Sequence, residues 1–419
     1  MENRVYLCID LKTFYASVEC VERGLDPFNT NLIVADSERG KGTICLAISP
    51  KMKMLGIKNR CRVYEIPNNV KYIVAKPRMQ KYIEYSSNIY KIYLKYVAKE
   101  DIHVYSIDEA FLDITHYFKL YNLKPIEFAK MIMKDIYDTY GLTATCGIGN
   151  NLYLAKVALD IMSKHSASNI GILNEELYKK ELWHHKPLTD FWQIGKGIER
   201  RLNRLRIYDM YDIAHCKEER LYKEFGVNAE LLIDHSKGIE TCTIEDIKKY
   251  RPKETSLSNS QILFRDYSYE ETITILKEMV ELKSLDLIDK NLKAGSVGLY
   301  IGYSDNCIPP VNCKMKMGIG ENTYNNLIKR FLFLYERNVK KEYPIRRVGI
   351  CFGNLTEDRY EQISFTEDFN KKQKEKNLEK AINYIKNREG KNYILKGMNF
   401  YKEATGIERN KLVGGHNAE

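Results

Sequence analysis

The sequence predicts an α+β chain of several domains, and three observations carry that reading. Strand-like and helical runs alternate from Val5 to about residue 174, residues 182 to 247 form a compact helical stretch, and residues 256 to 352 follow the order strand, helix, strand, strand, helix, strand. At 419 residues the chain exceeds one ordinary core, and domains of about 100 to 150 residues are expected. A hydrophobic share of 44% with 29% charged residues describes a soluble globular protein. No apolar run approaches the ~18 residues that a bilayer requires, and the N-terminus shows no secretory pattern, so a cytoplasmic location and no membrane partner are expected. The ten cysteines form no Cys-x-x-Cys pair, and several (Cys8, Cys45, Cys351) fall in apolar runs as buried, reduced thiols. His184-His185 reads as a loop dipeptide rather than a zinc site. The formal charge of +10 favours an anionic partner only modestly, since many ordinary proteins are this basic.

Taken in order, Val5 to Ile9 is a continuous apolar run ending at Asp10, and Lys12 to Val21 follows helical spacing through Phe14, Val18 and Val21. Asp10 at that junction serves either as a helix cap or as a strand-end carboxylate. Asn31 to Asp36 and Thr43 to Ile48 read as a strand and its returning partner, and Ser49-Pro50 starts a short helix closed by Gly56. Val70 to Val74 is a strand, and a tyrosine-rich helix follows from Met79 with Ile83, Ile89 and Leu94 near one face. The β-prone runs Val104 to Ile107 and Ala110 to Leu112 bracket Asp108-Glu109. Alone, that pair reads first as an acidic hairpin tip facing water, with a cation site as the alternative. Two strands that each end in carboxylate can converge on two Mg²⁺ ions, an arrangement suited to in-line attack at a phosphate. Pro125 to Tyr140 is an amphipathic helix, Thr143 to Gly149 a strand, and Asn151 onward helical again. Gly147-Ile-Gly149 before a helix is a weak phosphate-cradle signal.

Within the helical stretch, Gly195-Lys196-Gly197 opens a helix, where backbone amides can meet a DNA phosphate without reading sequence. Arg200, Arg201 and Arg204 add charge, and a tight turn with solvated arginines is the alternative. Residues 248 to 253 form a basic, proline-containing linker able to touch a DNA backbone. In the βαββαβ region, Arg265, Lys314, Lys316, Arg346 and Arg347 are candidate phosphate contacts or plain surface charges. Beyond it, Asn370 to Asn387 is a lysine-rich helix with Leu378, Ile382 and Ile385 along one face.

Two long motifs closely resemble those of the DinB/UmuC family, the Y-family translesion DNA polymerases: Cys8-Ile-Asp10-Leu-Lys-Thr-Phe-Tyr15-Ala-Ser-Val-Glu19 and Tyr105-Ser-Ile-Asp108-Glu109-Ala-Phe-Leu-Asp113. The resemblance covers most of the chain, and the tail from Gly406 to His416 is similar to UmuC-like members. It implies a right-hand polymerase: palm 1–24 and 76–174, small open fingers 25–75, helical thumb 175–247, basic linker 248–255, a βαββαβ little finger 256–355, and a C-terminal tail 356–419. It implies that Asp10, Asp108, Glu109 and the Leu11 carbonyl hold two Mg²⁺ ions, one activating the primer 3′-hydroxyl and the other steadying the pyrophosphate. Tyr15 resembles the family's sugar gate, a core tyrosine being the alternative. Lys53 stands where relatives commonly carry an Arg, and with Lys164 is expected on the triphosphate. Pro50 departs from the pattern, standing where many relatives place a phosphate-binding Tyr. Lys156 and Asp160 are expected to be structural or solvated. Glu361-Gln362-Ile363-Ser-Phe365 resembles a degenerate sliding-clamp peptide lacking the usual Leu-Phe ending.

The activity so implied is template-directed, low-fidelity DNA synthesis past damage, on primer-template DNA and dNTP, with a sliding clamp and accessory subunits as further partners. The rival readings are a catalytically silent DNA- and clamp-binding subunit of the same fold, and a palm-domain nucleotidyl cyclase. The intact acids count against the first, and the thumb-like hairpin with its second βαββαβ domain against the other.

Overall fold

The computed structural model describes residues 4–252, 255–359 and 369–419, and divides into two units, Met1–Tyr250 with His416–Glu419, and Arg251–Gly415.

The first unit opens with β1 (Tyr6–Leu11), whose unbroken apolar run is covered on both faces, and α1 (Phe14–Val21). The α1 cap is Thr13, in the left-handed region at φ 47°, so Asp10 is not the cap and its carboxylate stays at the strand end. A threonine there is strained, and it turns the chain sharply from strand to helix beside the acids. Next come β2 (Leu32–Val34), β3 (Ala47–Ile48) and α2 (Pro50–Met54), the last capped by the Ser49 side chain with Pro50 buried at its first turn. The expected strand at 70–74 begins later, as β4 (Ile73–Ala75), and pairs parallel with β2, while β3 pairs antiparallel with it.

In α3 (Met79–Tyr96) the inward face is Met79, Tyr82, Ile89, Ile92 and Tyr93, whereas Ile83 and Leu94 are exposed. Tyrosines displace aliphatics here because Tyr82 finds a buried acceptor in Glu19, 2.8 Å away. The hairpin β5 (Ile102–Val104) and β6 (Glu109–Asp113) is followed by α4 (Tyr117–Leu120), α5 (Pro125–Tyr140) and β7 (Ala144–Gly149). Then come α6 (Leu152–Val157), a π-helical turn at Ala158–Met162, and β8 (Ile170–Leu173), a strand absent from the sequence reading. The sheet order is β5-β6-β1-β7-β8, antiparallel except for β7 with β8, so β1 is central.

Gly147 and Gly149 do not cradle phosphate; they allow α6 to lie directly on the sheet. A Cβ on Gly147 would stand 2.0 Å from the Ala155 carbonyl oxygen, and one on Gly149 would stand 2.3 Å from the Ala155 nitrogen. The rest of the unit is helical: α7 (Glu175–Leu182), α8 (Lys196–Arg204), α9 (Met210–His215), α10 (Glu218–Phe225), α11 (Asn228–Ser236) and α12 (Ile244–Lys249). They share an apolar core that includes Tyr153, Tyr178, Phe191, Leu202 and Ile233. Lys248, expected in the linker, donates to the Lys99 and Glu100 carbonyls just before β5, so it is tied into this unit.

The second unit matches the expected βαββαβ order: β9 (Ser256–Tyr267), α13 (Tyr269–Asp289), β10 (Leu292–Tyr303), β11 (Val311–Glu321), α14 (Tyr324–Asn338) and β12 (Ile345–Glu357). Its antiparallel sheet runs β11-β10-β12-β9, and Val297, Leu299, Val348, Ile350 and Phe352 meet Ile275, Met279, Phe331 and Tyr335 of the two helices. Two more helices, α15 (Phe369–Glu389) and α16 (Gly406–Asn410), pack on α13. The expected apolar face of α15 docks in part, through the half-buried Ile382 and Ile385. Leu378 is 60% exposed, and the buried positions include Lys376, Glu379 and Lys386. The rest of the contact is built from charge: Asp358 bridges Lys293 (2.9 Å) and Lys376, and Glu379 accepts from the Tyr324 backbone amide at 2.9 Å. Glu278 of α13 accepts from the Asn399 side chain and from the Thr405 and Gly406 amides, at 2.8 to 3.1 Å. Gln362, Ile363 and Phe365 of the clamp-like peptide lie outside the described residues.

Candidate active site

The β1–β6 register sets Asp10 opposite Glu109, and the Leu11 amide donates to the Asp108 carbonyl at 3.0 Å. Three carboxylates nearly a hundred residues apart in sequence therefore meet at one end of the central strand. On the other side of Asp10 stands Thr145 of β7, donating to its carbonyl at 3.3 Å. Burial first, then Asp108 and Glu109, push the Asp10 carboxyl up to about 7. Such crowding of like charge is the mark of a functional site rather than of a water-facing hairpin tip.

Glu109 begins β6 and is 8% exposed. Burial raises its pKa, and Lys156 counters that effect. The Lys156 ammonium lies 2.9 Å from Glu109 Oε2 and 3.1 Å from Asp160, and the Cys8 thiol donates to Glu109 Oε1 at 3.2 Å. Asp108 accepts from the Ser106 hydroxyl at 2.6 Å. Of the two roles expected for Lys156 and Asp160, structural or solvated, the burial of Lys156 against a proposed metal ligand fits the structural one, and Asp160 lines the cleft. A lysine inside the apolar run from Leu152 to Leu159 was the available signal, because a buried lysine requires a carboxylate.

The oxygen donors suit Mg²⁺, and the raised Asp10 carboxyl records unbalanced negative charge that a dication would relieve. Among the described residues no three acid, histidine or cysteine side chains stand together as a closed ligand set. Asp108 and Glu109 are turned onto their protein partners.

A cleft of ≈ 460 Å³ opens beside the acids, lined by Asp10, Tyr15, Lys53, Arg60, Asp108, Asp160 and Lys164 among others, and its size falls in the usual range for ligand clefts. It therefore collects the expected sugar-gate and triphosphate residues next to the carboxylates. Burial lowers the Lys53 pKa, Asp10 opposes that effect, and Lys164 and Lys12 add repulsion. Arg60, missed in the sequence because nothing marks its loop, brings a further cation. Tyr15 stacks on Tyr82 with ring centroids 4.5 Å apart, and Tyr82 is fixed through Glu19, itself held by both guanidinium arms of Arg78 at 2.9 Å. Phe14, by contrast, is buried core as expected.

Of the expected DNA contacts, Gly195, Lys196 and Gly197 are exposed at the start of α8, and a Cβ on either glycine would meet open space. Arg201 and Arg204 both pair with Glu224, and Arg204 remains exposed to solvent. Arg265 pairs with both oxygens of Glu271 (2.6 and 3.0 Å) and Arg346 with Asp266 at 3.3 Å, and both guanidinium side chains stay exposed at the surface. In that unit the concave sheet face is lined by Lys314 and Arg347.

A palm-like sheet with acids at one end and a separate four-stranded unit define a Y-family DNA polymerase fold. The solved Y-family DNA polymerase chimera Dbh-Dpo4(243-245)-Dbh superposes with a TM-score of 0.65 at 21% identity, covering 84% of this chain and 99% of that one. Residues 9–160 match the impB/mucB/samB family, and residues 254–365 match its C-terminal domain. The chain is 32% identical over 413 residues to the putative UV-damage repair protein UvrX of Bacillus subtilis (strain 168), covering 98% of this chain and 97% of that protein. It is 30% identical over 435 residues to DNA polymerase IV 2 of the same organism, covering 99% of each. The chain belongs to the impB/mucB/samB family.

Proposed function

We propose that this protein is a template-directed DNA polymerase that extends a primer across damaged template with low fidelity. The observation that carries the reading is the register placing Asp10 opposite Glu109, with Asp10 and Asp108 lining a cleft that also holds Lys53 and Lys164. Asp10, Asp108, Glu109 and the Leu11 carbonyl would hold two Mg²⁺ ions, which when bound supply Lewis-acid polarisation of the phosphates and a more acidic primer hydroxyl. Lys53 and Lys164 offset charge on the triphosphate, and the braced Tyr15 ring crowds a 2′-hydroxyl. The exposed Gly195-Lys196-Gly197 turn and the Lys314 and Arg347 sheet face meet the DNA backbone. The palm, fingers, thumb and little-finger boundaries given above belong to this reading. The UmuC-like grouping rests on the Gly406 to His416 tail alone, and the sliding clamp on the 361–365 peptide.

Primer extension with Mg²⁺ tests the proposal. Single-nucleotide addition is expected, lost in Asp108→Ala, with ribonucleotide entry increased in Tyr15→Ala. Template-independent product, or extension untouched by Asp108→Ala, refutes it.

A further inference from the structure

Lys156 is the one side chain at the acids that a phosphoryl-transfer site does not obviously want, since a buried ammonium repels the cations the carboxylates would gather. It is 7% exposed, between Glu109 at 2.9 Å and Asp160 at 3.1 Å, with the Tyr105 ring 5.9 Å away. Asp160 keeps more solvent access than Glu109 and lines the cleft. The lysine therefore has two acceptors of unequal standing: one is needed elsewhere as a ligand, and the other is free to retain it. Helix α6 holds the ammonium there by lying flush on Gly147 and Gly149, so it is built into the site and does not merely reach it by side-chain flexibility.

We propose that Lys156 is a resident counter-ion that holds Glu109 off the metal site until divalent cation arrives, and then passes wholly to Asp160. Lys156 is a positioning residue, setting how much cation the polymerase needs and the orientation from which Glu109 swings. Without cation, its charge keeps a buried carboxylate from standing unpaired. With cation, the Glu109 contact breaks, the Asp160 contact remains, and no charge is stranded. The inference rests on the polymerase reading of Asp10, Asp108 and Glu109.

Mn²⁺ binding to the full-length, DNA-free protein, followed by electron paramagnetic resonance, tests it. Lys156→Met removes the repelling charge and is expected to bind Mn²⁺ roughly tenfold more tightly than wild type. Lys156→Arg should stay near wild type. Asp160→Asn removes the second acceptor and should bind more weakly, which keeps the test open if Lys156→Met fails to fold. Asp108→Ala serves as the control for the site itself. If Asp108→Ala weakens Mn²⁺ binding while folded Lys156→Met and Asp160→Asn both match wild type, the counter-ion role is wrong and the polymerase reading survives. If Asp108→Ala binds like wild type, the metal-site reading falls and the inference with it. In primer extension, the Mg²⁺ concentration at half-maximal rate should fall in Lys156→Met along with the maximal rate, a split that simple loss of stability would not produce.

Discussion

Gly147→Ala offers the sharpest test of how the fold builds the site, because it adds one methyl group and no charge. That Cβ would lie 2.0 Å from the Ala155 carbonyl oxygen, 2.3 Å from the Leu159 nitrogen and 2.9 Å from the Leu159 Cα. All three are backbone, so no rotamer change relieves the clash. The helix must retreat by more than ~1 Å to reach ordinary contact. Overpacking of this kind costs about 3 kcal/mol, the upper part of its usual range. In a domain of roughly 250 residues that is a fall in Tm of about 6 to 12 °C. The same displacement lengthens the 2.9 Å Lys156–Glu109 contact past hydrogen-bonding range, so activity should fall further than stability alone accounts for. Thermal unfolding by circular dichroism, paired with primer extension well below the new Tm, reads both effects. A Gly147→Ala protein with wild-type Tm and rate would mean that α6 does not rest on the sheet as described.

Asp10→Asn should abolish extension while raising metal-free stability by about 1 to 2 kcal/mol, since it removes one of three crowded carboxylates; urea unfolding in chelator checks it. Asp358 sits between Lys293 and Lys376, and despite the burial opposing ionisation their bonds and that of Asn322 hold its carboxyl down at about 2. Its contribution, about 2 kcal/mol, is present above the unfolded value near 4 and lost as pH falls toward 2, so Asp358→Asn should flatten acid unfolding of the second unit in that window. At neutral pH the same variant should cost about 3 kcal/mol by removing the carboxylate between two buried lysines. Glu278→Ala leaves the Thr405 and Gly406 amides without their acceptor, and limited proteolysis should cut residues 396 to 415 faster than in wild type.

Much of this was legible because the deciding residues were local. The apolar run into Asp10 and the β-prone runs around Asp108-Glu109 announce strands whose ends carry acid, and the βαββαβ order follows from periodicity alone. What stayed hidden depends on partners distant in sequence. Lys156 becomes intelligible only beside Glu109, and the surface ion pairs of Arg265 and Arg346 are seen only with Glu271 and Asp266 beside them. The α15 face was read only in part for a related reason: hydrophobic spacing finds the half-buried Ile382 and Ile385 but not the buried Lys376 and Glu379. The glycines of β7 were read for what they might bind, when their role is to let another backbone come close.

The π-helical turn at Ala158–Met162 has a consequence of its own. A wider turn takes up one residue more than an ordinary helix would, so every side chain after it is rephased by about 100° relative to a regular continuation. Lys156 precedes that slip, buried against Glu109, and Lys164 follows it, lining the cleft. Chain length between them is thus a tuned quantity, and deleting a single residue there would regularise the helix while swinging the second cation out of register with the first.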